Sequence, residues 1–314
     1  ASPSPGSSTQ TVGDDIKVTS SPQVKAVATK NPVVKDTVSA DQAVTASAKT
    51  AKEDPTVIKQ GTFGTCDWNL TSVSDASNFY TLNLGSETGT QTLGDTVTGN
   101  SVPWFSYLNN IDKINLKGAV KAGKYTNFLF ANLPNLTAIT NLNKLDTSGV
   151  SNMGLMFYND PKLTSLDLSS FQTGQVVDMH SMFYNDSSLT SLDVSTFDTS
   201  EVESMSYMFS GDSNLTSLDV SNFSKTKTRL MDNMFSNNPK LTKLNVSNLD
   251  TSSAKDMYMM FAGDTALRVL DVSTFDTSKV NDMSFMFYGD KLFELILGPK
   301  SKLNYSVDLS EAND

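Results

Sequence analysis

The chain has 314 residues, 24 Lys and Arg against 34 Asp and Glu for a formal charge of -10, and a single cysteine and a single histidine. Such an acidic surface repels nucleic acid and anionic lipid, and no run of about 18 apolar residues is present to insert into a bilayer. A lone cysteine permits no internal disulfide, and His180, with no second histidine and no cysteine nearby, cannot build a zinc site or a nucleophile–base pair.

Residues 1–60 contain no aromatic side chain and are mostly Ser, Thr, Ala, Val, Lys and Pro. Too few large apolar groups are present to offset chain entropy, which predicts a disordered tail. Its start, Ala1-Ser2-Pro3-Ser4-Pro5, suits a mature N-terminus left after export. Residues 61–70 and 79–85 alternate at period two and are rich in aromatics, predicting two strands. With Trp68 and Trp104, the only tryptophans, residues 61–110 read as an N-terminal β cap over the open end of the repeat region downstream.

From residue 111 to 298 the chain counts. Met-Phe recurs at Met156-Phe157, Met182-Phe183, Met208-Phe209, Met234-Phe235, Met260-Phe261 and Met286-Phe287, each doublet 26 residues after the last. A second methionine column (Met153, Met179, Met205, Met231, Met257, Met283) and an aliphatic column (Leu116, Leu142, Leu168, Val194, Val220, Val246, Val272) keep the same interval. One L-x-x-L-x-L segment per period of 20–29 residues is the mark of a leucine-rich-repeat solenoid. Leu192 and Val194 share one face of a strand, while Met205, Met208 and Phe209, at i, i+3 and i+4, predict one face of a helical turn. The expected fold class is therefore an α/β solenoid, a leucine-rich-repeat stack with a short strand and a helical turn per coil behind the N-terminal β cap. Asn159, Asn185, Gly211, Asn237, Gly263 and Gly289 follow the doublets and suit a left-handed turn that ends each helix. The repeat closes at Leu292-x-x-Leu295-x-Leu297, and residues 299–314 read as a C-terminal cap remnant or linker.

The unit L-T-S-L-D-V-S-x-F-D-T-S-x-V-x-x-M-S-x-M-F resembles the BspA-type leucine-rich repeats of Gram-positive bacterial surface proteins. Cys66-Asp67-Trp68 and Val102-Pro103-Trp104 are similar to the segment that precedes those repeats. The resemblance implies an exported or cell-wall-attached protein that adheres to host glycoproteins, extracellular matrix or bacterial surface macromolecules, with no shared catalytic residues. No wall-sorting motif is visible at the C-terminus.

No G-x-S-x-G, P-loop or G-x-G-x-x-G is present, so the chain is not expected to be an enzyme. The expected binding surface is the outward strand face, where Ser191, Asp193 and Ser195 recur as Ser217, Asp219 and Ser221. A second acidic column at the turn includes Asp186, Asp212 and Asp264. Its carboxylates are expected to accept turn N–H groups; the sharper alternative is calcium bridging adjacent coils, the one cofactor considered. Ser224-Lys225-Thr226-Lys227-Thr228-Arg229 interrupts the acidic pattern, and register places Glu201 under Lys227 and Glu203 under Arg229 as partners. Beside the interaction module stands a structural reading, a spacer that projects another domain from the wall and binds nothing itself.

Overall fold

The computed structural model describes residues 17–20 (backbone only), 54–72 and 78–303; the rest of the predicted tail and residues 304–314 lie outside the described residues. In chain order the strands are β1 Lys17–Ser20, β2 Thr56–Phe63, β3 Cys66–Ser72, β4 Tyr80–Leu84, β5 Thr90–Thr92, β6 Ile111–Leu116, β7 Ala119–Lys121, β8 Ala138–Thr140, β9 Leu145–Asp146, β10 Ser217–Asp219, β11 Lys243–Asn245, β12 Val269–Val272 and β13 Glu294–Leu297. Two short 3₁₀ turns, Phe105–Asn110 and Leu142–Lys144, are the only helical elements among the described residues. The chain winds as a β-solenoid of about eight turns.

Parallel pairing sets the register of the coils. Leu218 pairs with Leu244 and Leu270 with Leu295, so each strand lies over its copy in the next coil. A second parallel ladder on the far side links Asn152, Asp178, Ser204, Leu230, Asp256 and Asp282 by single bridges. Between the ladders the apolar columns are sealed. Phe157, Phe183, Phe209, Phe235, Phe261 and Phe287 stack with centroids 5.6–5.9 Å apart and planes within 9°. The methionine columns are buried beside them. One coil could not bury this face alone, and the neighbours supply most of the apolar contact.

The structure corrects two expectations. The predicted helical turn is absent, and the reason lies in where the N–H groups go. Met153, Leu155, Phe157 and Asn159 donate forward to Asp178, His180, Met182 and Tyr184 in the next coil, while Met156 and Tyr158 between them close tight turns onto Met153 and Leu155. Alternate donors are thus committed between coils, so the i to i-4 ladder of a helix cannot form. Left-handed residues also interrupt each turn, at Leu155, Ser181, Tyr207, Asn233, Met259 and Phe285 (φ 52–60°). The fold is accordingly a β-solenoid rather than an α/β one.

The second correction concerns the N-terminal β cap. The strand predicted at 79–85 forms as β4, but the one predicted at 61–70 is instead a hairpin, β2 turning into β3 at Gly64-Thr65, where Gly64 adopts φ 66°. β2, β3 and β4 pair antiparallel, and β4 then pairs parallel with β6. Residues 80–84 are already a solenoid coil, and β5 joins a second parallel sheet with β7 and β9. Trp68 and Trp104 meet edge-on at 5.9 Å within the same continuous core as the repeats. No seam separates a cap from the stack. Two segments of the predicted tail also carry structure: β2 begins at Thr56, and β1 pairs parallel with β13 at the opposite end.

Candidate interaction surface

All six strand-face residues, Ser191, Asp193, Ser195, Ser217, Asp219 and Ser221, line one open groove of about 870 Å³. The repeat explains why they meet. Leu192, Val194, Leu218 and Val220 turn into the core, which forces the residues alternating with them outward, and the parallel register lays one set over the other. Ser191 bridges directly to Ser217. Asn222, Thr242, Lys243, Asn245 and Val269 complete the wall. Of these, Asn245 falls on the Asp193–Asp219 column, and Lys243 and Val269 fall on the Ser191–Ser217 column, so register places all three; what the repeat did not foretell is the change from serine to lysine and valine there.

The groove carboxylates are held in fixed directions. Asp193 Oδ1 accepts the Ser195 N–H at 3.0 Å and Asp219 Oδ1 that of Ser221 at 2.9 Å, with Asp167 and Asp271 repeating the bond to Ser169 and Ser273. The serine hydroxyl and N–H together hold Asp193 below the ordinary carboxylate range. At Asp219, burial pushes upward but is outweighed by bonds from Ser221 and Asn245, whose Nδ2 lies 3.0 Å from Oδ2. These are ionised acceptors pre-oriented by their own backbone, with spare lone pairs toward solvent. A partner offering hydroxyl, amide or cationic donors at coil spacing fits them.

The turn column has a different character. Asp186, Asp212 and Asp264 are fully buried, one per coil, with Oδ1 occupied by a main-chain N–H at 2.8–2.9 Å. The acceptor role expected of them is present, but inside the core rather than at a wet turn. Among the described residues no three His, Cys, Asp or Glu side chains converge as a ligand set. Lys227 meets Glu201 at 2.5 Å, whereas Arg229 and Glu203 are joined through the main chain, Arg229 N–H to Glu203 O at 2.9 Å. His180 Nδ1 lies 2.8 Å from Asp178 Oδ1, a bond that raises the imidazole above its usual range.

One surface feature has no counterpart among the sequence expectations. Tyr158 and Tyr184 stack at 5.1 Å on the turn side, flanked edge-on by Phe128 and Tyr207. Its signal was a tyrosine directly after the Met156-Phe157 and Met182-Phe183 doublets; the third such tyrosine, Tyr288, packs edge-on against Phe285 instead.

A solved structure of a leucine-rich repeat protein from Eubacterium ventriosum ATCC 27560 is similar at 13% identity over 79% of this chain and 96% of that chain, with a TM-score of 0.27. That score is too low to support a common fold, and the solenoid assignment stands on the register above. No curated protein matches the chain. Residues 125–228 and 211–306 each match a family described as "Mycoplasma protein of unknown function, DUF285", and together the two segments span more than half of the sequence. The chain therefore belongs to the DUF285 family.

Proposed function

We propose that this protein is an extracellular interaction module of the BspA type, an adhesin that binds host or bacterial surface macromolecules through its strand-face groove. One observation carries the reading: two adjacent coils present the same Ser-x-Asp-x-Ser triplet into a single groove, and the carboxylates there are pre-oriented by Asx turns. Repetition makes the contact additive. No single side chain dominates such a surface, and each added coil raises the effective concentration of the next contact. Export or wall attachment belongs to the same proposal, as the setting in which such partners are met.

The test is removal of one whole coil, residues 189–214, which keeps every column in register. Binding to mucin, matrix proteins and bacterial cells is then measured beside the intact chain. A graded loss of affinity supports the distributed groove. Undiminished binding moves recognition elsewhere on the molecule, and failure of the intact chain to bind any of these surfaces favours the spacer reading, for which the unbroken phenylalanine stack provides a stiff rod.

A further inference from the structure

Asp160, Asp186, Asp212, Asn238, Asp264 and Asp290 form a file through the interior, with exposures of 5% or less. Oδ1 of each aspartate accepts a main-chain N–H from the preceding coil: Leu133 to Asp160 at 2.7 Å, Asp160 to Asp186, Asp186 to Asp212 and Asp264 to Asp290 at 2.8 Å, and Asn238 to Asp264 at 2.9 Å. Oδ2 of all five is buried without a donor. The charged groups that act on them are one another, Asp160 and Asp212 on Asp186 and Asp290 on Asp264, and no cation pairs with them among the described residues. An ionised carboxylate here would lose its water, leave one oxygen bare, and face a like charge one coil away. Keeping a proton removes all three penalties.

That proton needs an acceptor, and Asn238 shows where one lies. Its Nδ2 donates to the Phe209 carbonyl at 2.9 Å and to the Phe235 carbonyl, while its Oδ1 has no partner. The site therefore calls for a donor. The carbonyls of Phe157, Phe183 and Phe261, equivalent by the 26-residue repeat, accept no main-chain N–H among the described residues. A protonated aspartate has nearly the shape of asparagine and supplies one O–H in place of the amide N–H.

We infer that these five aspartates are neutral carboxylic acids in the folded protein, donating Oδ2–H to carbonyls of the phenylalanine column, so that folding takes up protons and acid tightens the solenoid. Burial raises each of them, Asp290 at the end of the stack to about 8. A folded value above the unfolded one, about 3.9, means that the stabilisation is complete below that unfolded value. It is lost as pH rises through the folded value. Surface aspartates work in a separate window. Asp146, Asp167, Asp193 and Asp198 are lowered by bonds from Ser148, Ser169, Ser195 and Ser200, and their stabilisation is lost only as pH falls below the ordinary carboxylate range. His180, raised by Asp178, adds a smaller loss with rising pH and calls for a control.

The experiment follows the urea midpoint of the intact chain from pH 5 to pH 9, with an infrared spectrum at pH 7 to detect the C=O stretch of protonated carboxyl groups. The expected midpoint falls steadily as pH rises, unfolding at pH 7 releases about five protons, and the acid band is present. Asp186→Asn and Asp212→Asn should each shrink the fall and reduce the band, while His180→Gln leaves most of both. A midpoint that is flat or rises toward pH 9, or a spectrum of the intact chain without the acid band, overturns the inference even if the variants fail to fold.

Discussion

Phe209 lies between Phe183 and Phe235, with centroids 5.7 and 5.9 Å away and no exposed surface. Rings above and below leave little room for the coil to collapse, so Phe209→Ala should cost about 3–5 kcal/mol. Phe63 is only half-buried and rests edge-on against Trp104 at one flank. Its replacement by alanine should cost clearly less, and urea melts of the two variants check the order. At this scale the apolar columns were legible because a 26-residue interval leaves no other register for a Met-Phe doublet. Asp212, three residues after Phe209, was not. Aspartate at a turn ordinarily faces water, and nothing in its own identity says that this turn folds the carboxyl inward.

What turns it inward is the left-handed residue just before. Gly211, Gly263 and Gly289 adopt φ of 75–85°, and Asn159, Asn185 and Asn237 fill the same column at 61–62°. At Gly211 an added Cβ would meet the Asn185 Cα at 3.4 Å in a backbone conformation that side chains disfavour. Gly211→Ala should therefore destabilise by about 1–2 kcal/mol. Gly211→Asn should cost noticeably less, because asparagine already serves that column in neighbouring coils; thermal melts separate the two. This column was readable from sequence, since only Asn and Gly occur in it. The other left-handed column was not, for Leu155, Ser181, Tyr207, Met259 and Phe285 carry no preference for that conformation. The i, i+3, i+4 spacing of Met205, Met208 and Phe209 fits a tight turn as well as a helix, so periodicity alone chose wrongly. The commitment of alternate N–H groups to the next coil decided the matter, and that contact is visible only between copies.

Across the whole molecule, the two ends of the stack pose the same problem, since each leaves a strand edge or a core cross-section uncovered. At the start, the β2–β3 hairpin continues the sheet through β4. At the finish, β1 lies parallel on β13 and pairs Lys17, Val18, Thr19 and Ser20 with Glu294, Leu295, Ile296 and Leu297. The reach is ample: residues 21–53 can span up to about 110 Å when extended, against about 40 Å for eight turns. The tail composition that predicted disorder gave no hint of this, because four backbone pairs need no large apolar side chain. Removal of residues 1–53 should then leave β13 as a free edge. Its main-chain amides should lose protection in hydrogen exchange, and the shortened chain should self-associate as concentration rises in sedimentation experiments. A peptide of residues 14–23 should restore protection, and the same peptide with Val18→Pro, which breaks strand geometry, should not. Unchanged exchange at β13 in the shortened chain would show that the edge is closed by something other than β1.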